Sequence, residues 1–156
     1  MGAGNWYHGS PRMIKTVWDG LDYYTKGING FIDVADVVNI MILLTESDVK
    51  EERFILNAEN LPFRTVFDYI ADNLNKKRPS KYANNFMLHS LKVFDKLKYY
   101  INNTEPRLTK HTIHSAQLIH TCSNNKIKDI LNYKFIPIDK SIEGICKIFL
   151  NEFNSN

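Results

Sequence analysis

Cysteine is scarce: Cys122 and Cys146 are the two in the chain, with no metal-type spacing between or around them. That excludes a disulfide framework and fits a reducing compartment better than a secreted one. Seven glycines and five prolines in 156 residues exclude collagen-like and low-complexity architectures. Charge of one sign is also in short supply, since 20 Lys and Arg stand against 17 Asp and Glu, a net +3 with His neutral. Such a balance implies no nucleic-acid partner unless the cations cluster. Long hydrophobic runs are missing too. The greasiest stretch, Val37 to Leu44, contains Asn39 and falls far short of the ~20 residues that span a bilayer. The opening residues, Met1-Gly-Ala-Gly-Asn-Trp-Tyr-His8, lack the basic start and apolar stretch of a secretory signal. The expectation is a soluble, cytoplasmic protein with no membrane contact, in which the sequon Asn102-Asn-Thr104 meets no glycosylation machinery.

What is present is an ordinary globular composition, 44% hydrophobic and 24% charged, so the chain is long enough to bury a real core. No internal repeat or Gly/Ser linker divides it, and residues 1–156 read as a single unit. Ser10-Pro11 suits a helix start, Ser as the cap and Pro at the first helical position. Met13, Val17 and Leu21 continue that helix at four-residue spacing, with an end expected near Lys26-Gly27. Gly30 to Val34 predicts a short strand, Asp33 or Asp36 a cap, and Val37 to Leu44 the next helix. Glu51 to Asn57 predicts a second strand around Phe54-Ile55-Leu56, closed by the turn formers Asn57-Ala-Glu-Asn-Leu-Pro62. Further helices are expected from Thr65 to Leu74, from Ala83 to Ile101, and from Thr109, Ser123 and Asp139 onward. In the last of these, Ile142, Ile145, Ile148 and Phe149 form a packing stripe. The fold class is therefore mainly α with two or three short strands, too few for a complete doubly wound sheet.

Several loose motifs invite chemistry. Gly2-Ala-Gly4 lacks the preceding strand, third glycine and helix of a dinucleotide fingerprint. His111, His114, His120 and Cys122 offer soft ligands, but with no HExxH and no second nearby Cys a His-rich surface helix accounts for them, and no metal site is assigned. Lys76-Lys77-Arg78 with Lys81, beside Tyr82, could touch a phosphate, although cations at a helix C-terminus explain the cluster without a ligand. Neither a GxSxG elbow nor a Walker loop occurs, and no complete catalytic constellation is present.

The segment Gly30-Phe-Ile-Asp-Val-Ala-Asp-Val-Val38 resembles a strand-to-helix motif of the extended short-chain dehydrogenase/reductase superfamily, roughly Gly-Phe-Val-Asp-Val-Arg-Asp-Val-Ala. Gly2 to Trp6 with Gly9-Ser-Pro11 looks like that family's Gly-Pro-Gly turn, Arg53-Phe-Ile-Leu-Asn57 like its later strand ending in an Asn or Ser turn, and Asn125-Lys126 with Ile130-Leu131 and Phe135-Ile-Pro137 like its closing pattern. The four pieces occur in the family's order. The resemblance implies the C-terminal, substrate-binding part of a Rossmann-type α/β enzyme, of the NAD-dependent epimerase/dehydratase or dihydroflavonol-reductase-like kind, lacking the nucleotide-binding sheet. It implies NAD or NADP in the full-length parent and none for this chain alone, because GxxGxxG and Tyr-x-x-x-Lys are absent here. Tyr23 has its Lys at three residues (Lys26), not four.

Where nucleotide-sugar epimerases place an Arg before the strand, this chain has Gly27-Ile-Asn-Gly30, which tilts the resemblance toward the dihydroflavonol-reductase-like or aldehyde-reductase-like branch with a less charged substrate; the Arg of Val-Arg-Asp is replaced by Ala35, so that guanidinium's role has no counterpart here. By the same resemblance Trp6, His8, Ser10 and Arg12 would face the substrate and Asn5 the cofactor. The partners implied are an N-terminal nucleotide-binding region and a small-molecule substrate, with a homo-oligomer left open. The rival reading is a stand-alone helical interaction module. The two differ in one expectation: the module should show no large exposed apolar patch, whereas the enzyme part should leave one where a sheet belongs.

Overall fold

The computed structural model describes residues 1–84 and 116–154, and helical periodicity dominates them. In chain order they form α1 (Arg12–Trp18), β1 (Tyr23–Tyr24), β2 (Ile28–Phe31), α2 (Val34–Thr45), β3 (Glu59–Pro62), α3 (Phe63–Asn73), β4 (Lys81–Tyr82), α4 (Asn125–Leu131) and α5 (Ile138–Asn154). The strands make two small two-stranded pairs. β2 runs antiparallel to β3, with Ile28 opposite Pro62 and Phe31 opposite Glu59, and β1 lies parallel to β4. The molecule is mainly helical with short strands, four of them among the described residues where two or three were expected. The two-residue pair β1–β4 is too short to leave an alternating pattern in the sequence.

The core lies where α1, α3 and α5 meet. Ile142, Ile145 and Phe149 recur at three- and four-residue spacing and are buried against Ile14, Val17, Val66 and Ile70. Phe149 sits at its centre, edge-on to Trp6 (5.0 Å between ring centres) and Trp18 (5.5 Å), and stacked on Phe153 (4.3 Å). Ile148, expected on the same stripe, points outward.

Element ends differ from expectation for identifiable reasons. α1 stops at Asp19, well short of Lys26-Gly27, because Gly20 takes a positive φ of 96° and turns the chain out of the helix. Pro11, not Ser10, holds its N-cap position with no side-chain bond, and the Ser10 carbonyl accepts from the Met13 N–H (3.1 Å). The strand expected over 51–57 falls instead at β3. The Ala58 N–H reaching the Phe31 carbonyl (2.8 Å) and the Phe63 N–H reaching that of Gly27 (3.0 Å) register it against β2. Pro62 closes the ladder, a position where its missing N–H costs nothing. α3 begins at Phe63 behind Pro62, leaving Thr65 within its first turn. Asp33 caps α2 as expected, its Oδ1 accepting from the Ala35 N–H at 2.7 Å. The expected helices over Ala83–Ile101 and from Thr109, together with His111, His114 and the sequon, lie outside the described residues beyond Asn84 and before Ala116. Among the described residues no helix is long and apolar enough to cross a membrane.

Candidate functional site

The β2–α2 junction gathers most of the buried polarity. Asp36, in the first turn of α2, is fully buried, accepting from the Tyr133 hydroxyl (2.8 Å) and the Ile136 N–H (3.0 Å). Burial pushes the Tyr133 phenol above its ordinary value, and the Asp36 carboxylate holding its proton works in the same direction. Asp33 accepts from the Ser141 hydroxyl with its second oxygen, which ties α2 to the first turn of α5. The Met1 amino group donates to the Ile32 carbonyl, and burial lowers its pKa against the opposing pull of Asp33 and Asp36. These contacts fix geometry. A phenol whose proton is held by a buried carboxylate is poorly placed to give it to a ligand.

Beside this hub, the linker between α4 and α5 forms one wall of a cleft of about 320 Å³, at the small end of ligand-sized cavities. Glu59, Lys128, Tyr133, Lys134 and Phe135 line it. Glu59 is already engaged, accepting from the Ile138 N–H at 2.8 Å. A second polar cluster clamps the chain around Cys122. Asn57 and Asn60 both donate to its carbonyl (3.0 and 2.9 Å), and Asn60 accepts from its N–H (2.9 Å). Gly30 is small for a reason here: a Cβ on it would lie 2.7 Å from the Asn57 Oδ1.

The residues predicted for substrate and cofactor contact share the loop before α1 and its first turn, but they point different ways. Trp6 is buried, its indole N–H donating to Glu152 (2.6 Å) while its ring packs on Phe149. Asn5 is exposed and closes its own turn, accepting from the Tyr7 N–H through its side chain (2.9 Å) and from the His8 N–H through its carbonyl (3.2 Å). His8 and Ser10 are exposed and Arg12 is half-buried. Gly2-Ala-Gly4 makes no phosphate cradle. A Cβ on Gly2 would lie 2.7 Å from Val34, and a bend rather than a helix follows. The residues present therefore do not fit a dinucleotide. His120 is exposed with its N–H on the Ile28 carbonyl (2.9 Å), and no cluster of His, Cys, Asp or Glu among the described residues could hold a metal.

No family model matches the chain, and no curated protein does. Solved structures do. PA4631, a nucleoside-diphosphate-sugar epimerase from Pseudomonas aeruginosa, superposes with a TM-score of 0.69 at 17% identity, over 98% of this chain and 45% of that one. The fold is epimerase-like. The protein gox2253 matches with a TM-score of 0.69 at 18% identity, over 97% of this chain and 46% of that one. At such identities the likeness establishes fold and not activity. The chain spans a little under half the length of the solved structures it matches.

Within this epimerase-like fold, the Asp36–Tyr133 hub and the cleft beside it escaped the sequence reading. Asp36 was legible as polar and near a helix start, but its partners lie about a hundred residues further on.

Proposed function

We propose that this chain is the substrate-binding and lid region of an NAD(P)-dependent reductase or epimerase acting on a carbonyl or sugar-like substrate, and that it is inactive by itself. The observation that carries the reading is coverage: nearly the whole chain superposes on less than half of an epimerase-like chain. The sequence agrees, since it holds neither GxxGxxG nor Tyr-x-x-x-Lys. On this reading the cofactor, which supplies the hydride, rides on a separate N-terminal nucleotide-binding region. The helical layer described here covers the substrate and excludes water, raising the strength of every polar contact made to it. Asn5, His8, Ser10 and Arg12, on the loop ahead of α1, are the polar groups assigned to the cofactor and substrate side, with Trp6 setting the loop's path from beneath.

Gly27 bears on the substrate. A Cβ there would fall 2.4 Å from the Ala116 carbonyl oxygen, so this position carries no Arg without a backbone shift. A substrate less charged than a nucleotide diphosphate suits a stretch, Gly27-Ile-Asn-Gly30, that holds no guanidinium. The apolar face that α2 leaves uncovered also supports an enzyme part over a self-sufficient interaction module.

The direct test is to titrate the purified chain with NADPH and follow cofactor fluorescence. No stoichiometric binding is expected, and tight binding by the chain alone would overturn the proposal. Reading the gene upstream of the Met1 codon supplies the complement, where GxxGxxG and Tyr-x-x-x-Lys are expected.

A further inference from the structure

The cleft beside the Asp36–Tyr133 hub has walls that are fixed before any ligand arrives. One wall, the linker between α4 and α5, has no regular structure, yet bonds at three points hold it. The Tyr133 hydroxyl and the Ile136 N–H donate to Asp36, and the Ile138 N–H just past the linker donates to the Glu59 Oε1. Asn132, in the left-handed region at a φ of 48°, ends α4 and turns the chain into this wall. On the other side, Ala58 and Glu59 are tied to β2 by the Ala58 N–H on the Phe31 carbonyl (2.8 Å). Walls pinned in this way lose little conformational entropy when a small molecule settles between them.

The charges lining the cleft are of both signs and are not paired with one another. Lys128 and Lys134 are exposed and form no ion pair among the described residues. Glu59 gives one carboxylate oxygen to Ile138, and its second oxygen has no hydrogen-bond partner among the described residues. Between the charges stand two rings. Tyr133 and Phe135 meet edge to face at 5.2 Å, and the Lys128 Nζ lies 5.9 Å from the centre of the Phe135 ring. The Tyr133 hydroxyl is committed to Asp36, so the cleft receives ring surface and not a donor from it.

We infer that this cleft is a binding site for a small zwitterion of the amino-acid class with an aromatic side chain. Its carboxylate meets Lys128 and Lys134, its ammonium meets the second oxygen of Glu59, and its ring rests against Phe135 and Pro137. A purely anionic ligand sets itself against the Glu59 carboxylate, and a purely cationic one against two ammonium groups. A molecule carrying both charges satisfies the whole lining. The volume of about 320 Å³, small for a ligand cavity, suits a single amino acid. No residue of the loop ahead of α1 lines this cleft, so the inference stands apart from the substrate and cofactor side proposed above.

The experiment titrates the whole chain with three probes of one shape, following its amide resonances by NMR. The probes are L-phenylalanine, 3-phenylpropionate, which lacks the ammonium, and phenethylamine, which lacks the carboxylate. L-Phenylalanine is expected to bind saturably with a dissociation constant on the order of 1 mM, ordinary for so small a ligand, and to move the linker resonances. Each singly charged analogue should bind about fivefold more weakly, the loss of one partly exposed charge contact. Lys128→Gln and Lys134→Gln should weaken L-phenylalanine and 3-phenylpropionate but not phenethylamine. Glu59→Gln, whose side-chain carbonyl can still accept from Ile138, should weaken L-phenylalanine and phenethylamine but not 3-phenylpropionate. Lys77→Gln, in the exposed stretch after α3, should change nothing. No saturation by L-phenylalanine at ten times the expected constant overturns the inference. So does 3-phenylpropionate binding as tightly as the amino acid, or binding that ignores all three cleft variants. Should Glu59→Gln fail to fold, the two lysine variants and the two analogues decide the same question.

Discussion

α5 and α2 are both rich in aliphatic residues, yet the chain treats them in opposite ways. In α5 the stripe of Ile142, Ile145 and Phe149 is buried against α1 and α3, and the polar residues Lys140, Glu143 and Lys147 face water as an ion-paired set. In α2 the fully buried side chains are a single Ile and a carboxylate, while five large aliphatics, Val34, Val38, Met41, Ile42 and Leu43, are exposed. Sequence hydrophobicity therefore says that a helix will be covered, and only the packing says by what. α5 is covered from within this polypeptide. α2 is anchored from within by polar bonds, and its apolar side is exposed. Among the described residues the apolar core is built where α1, α3 and α5 meet.

The sharpest way to break this comparison is to empty the centre of the satisfied helix. Phe149→Ala removes a fully buried ring in contact with Trp6, Trp18 and Phe153. The expected loss is about 3–5 kcal/mol, read from denaturant midpoints at unchanged slope. A loss under ~1 kcal/mol would mean that the layer does not organise the core, since surface-like substitutions fall in that range.

Next in size is the polar anchor of α2. Asp36→Ala strands the Tyr133 hydroxyl and the Ile136 N–H, two half-buried donors, at a cost of about 1–3 kcal/mol. In a double-mutant cycle with Tyr133→Phe the two effects should add to less than their sum, because they remove one bond in common. Full additivity would show that the hub does not couple α2 to the α4–α5 linker.

How much of this was legible beforehand follows from the range of each determinant. The stripe of α5 and the Asp33 cap of α2 are written within a few residues, and both were readable. The strand misplaced onto 51–57 shows the limit: Phe54-Ile55-Leu56 has the composition of a strand, but the ladder with β2 forms five residues later, where the backbone meets a partner. Trp6 is similar. Its neighbours Phe149 and Glu152 lie at the far end of the chain, so no local pattern records that the indole turns inward. The candidate substrate loop entered through the family resemblance and not through a local pattern of its residues. The hub joining Asp36 to Tyr133 was not, because its contacts close over about a hundred residues.

The smallest expected effect reads the buried face of α5 through its thiol. Burial pushes the Cys146 thiol from an ordinary 9.0 up to about 12. The native state thus holds this proton more tightly than the unfolded chain does. Its contribution to stability is complete below about pH 9 and is lost as pH rises from 9 toward 12, because the unfolded thiol ionises first. By pH 10 the loss from this one group is about 1 kcal/mol. Cys146→Ala should cost some packing at every pH but flatten the alkaline decline by that amount, so the difference between the two proteins' midpoints at pH 7 and pH 10 isolates the thiol. A wild-type decline no steeper than that of Cys146→Ala would show the α5 interior to be open to water, and the contrast with α2 would narrow accordingly.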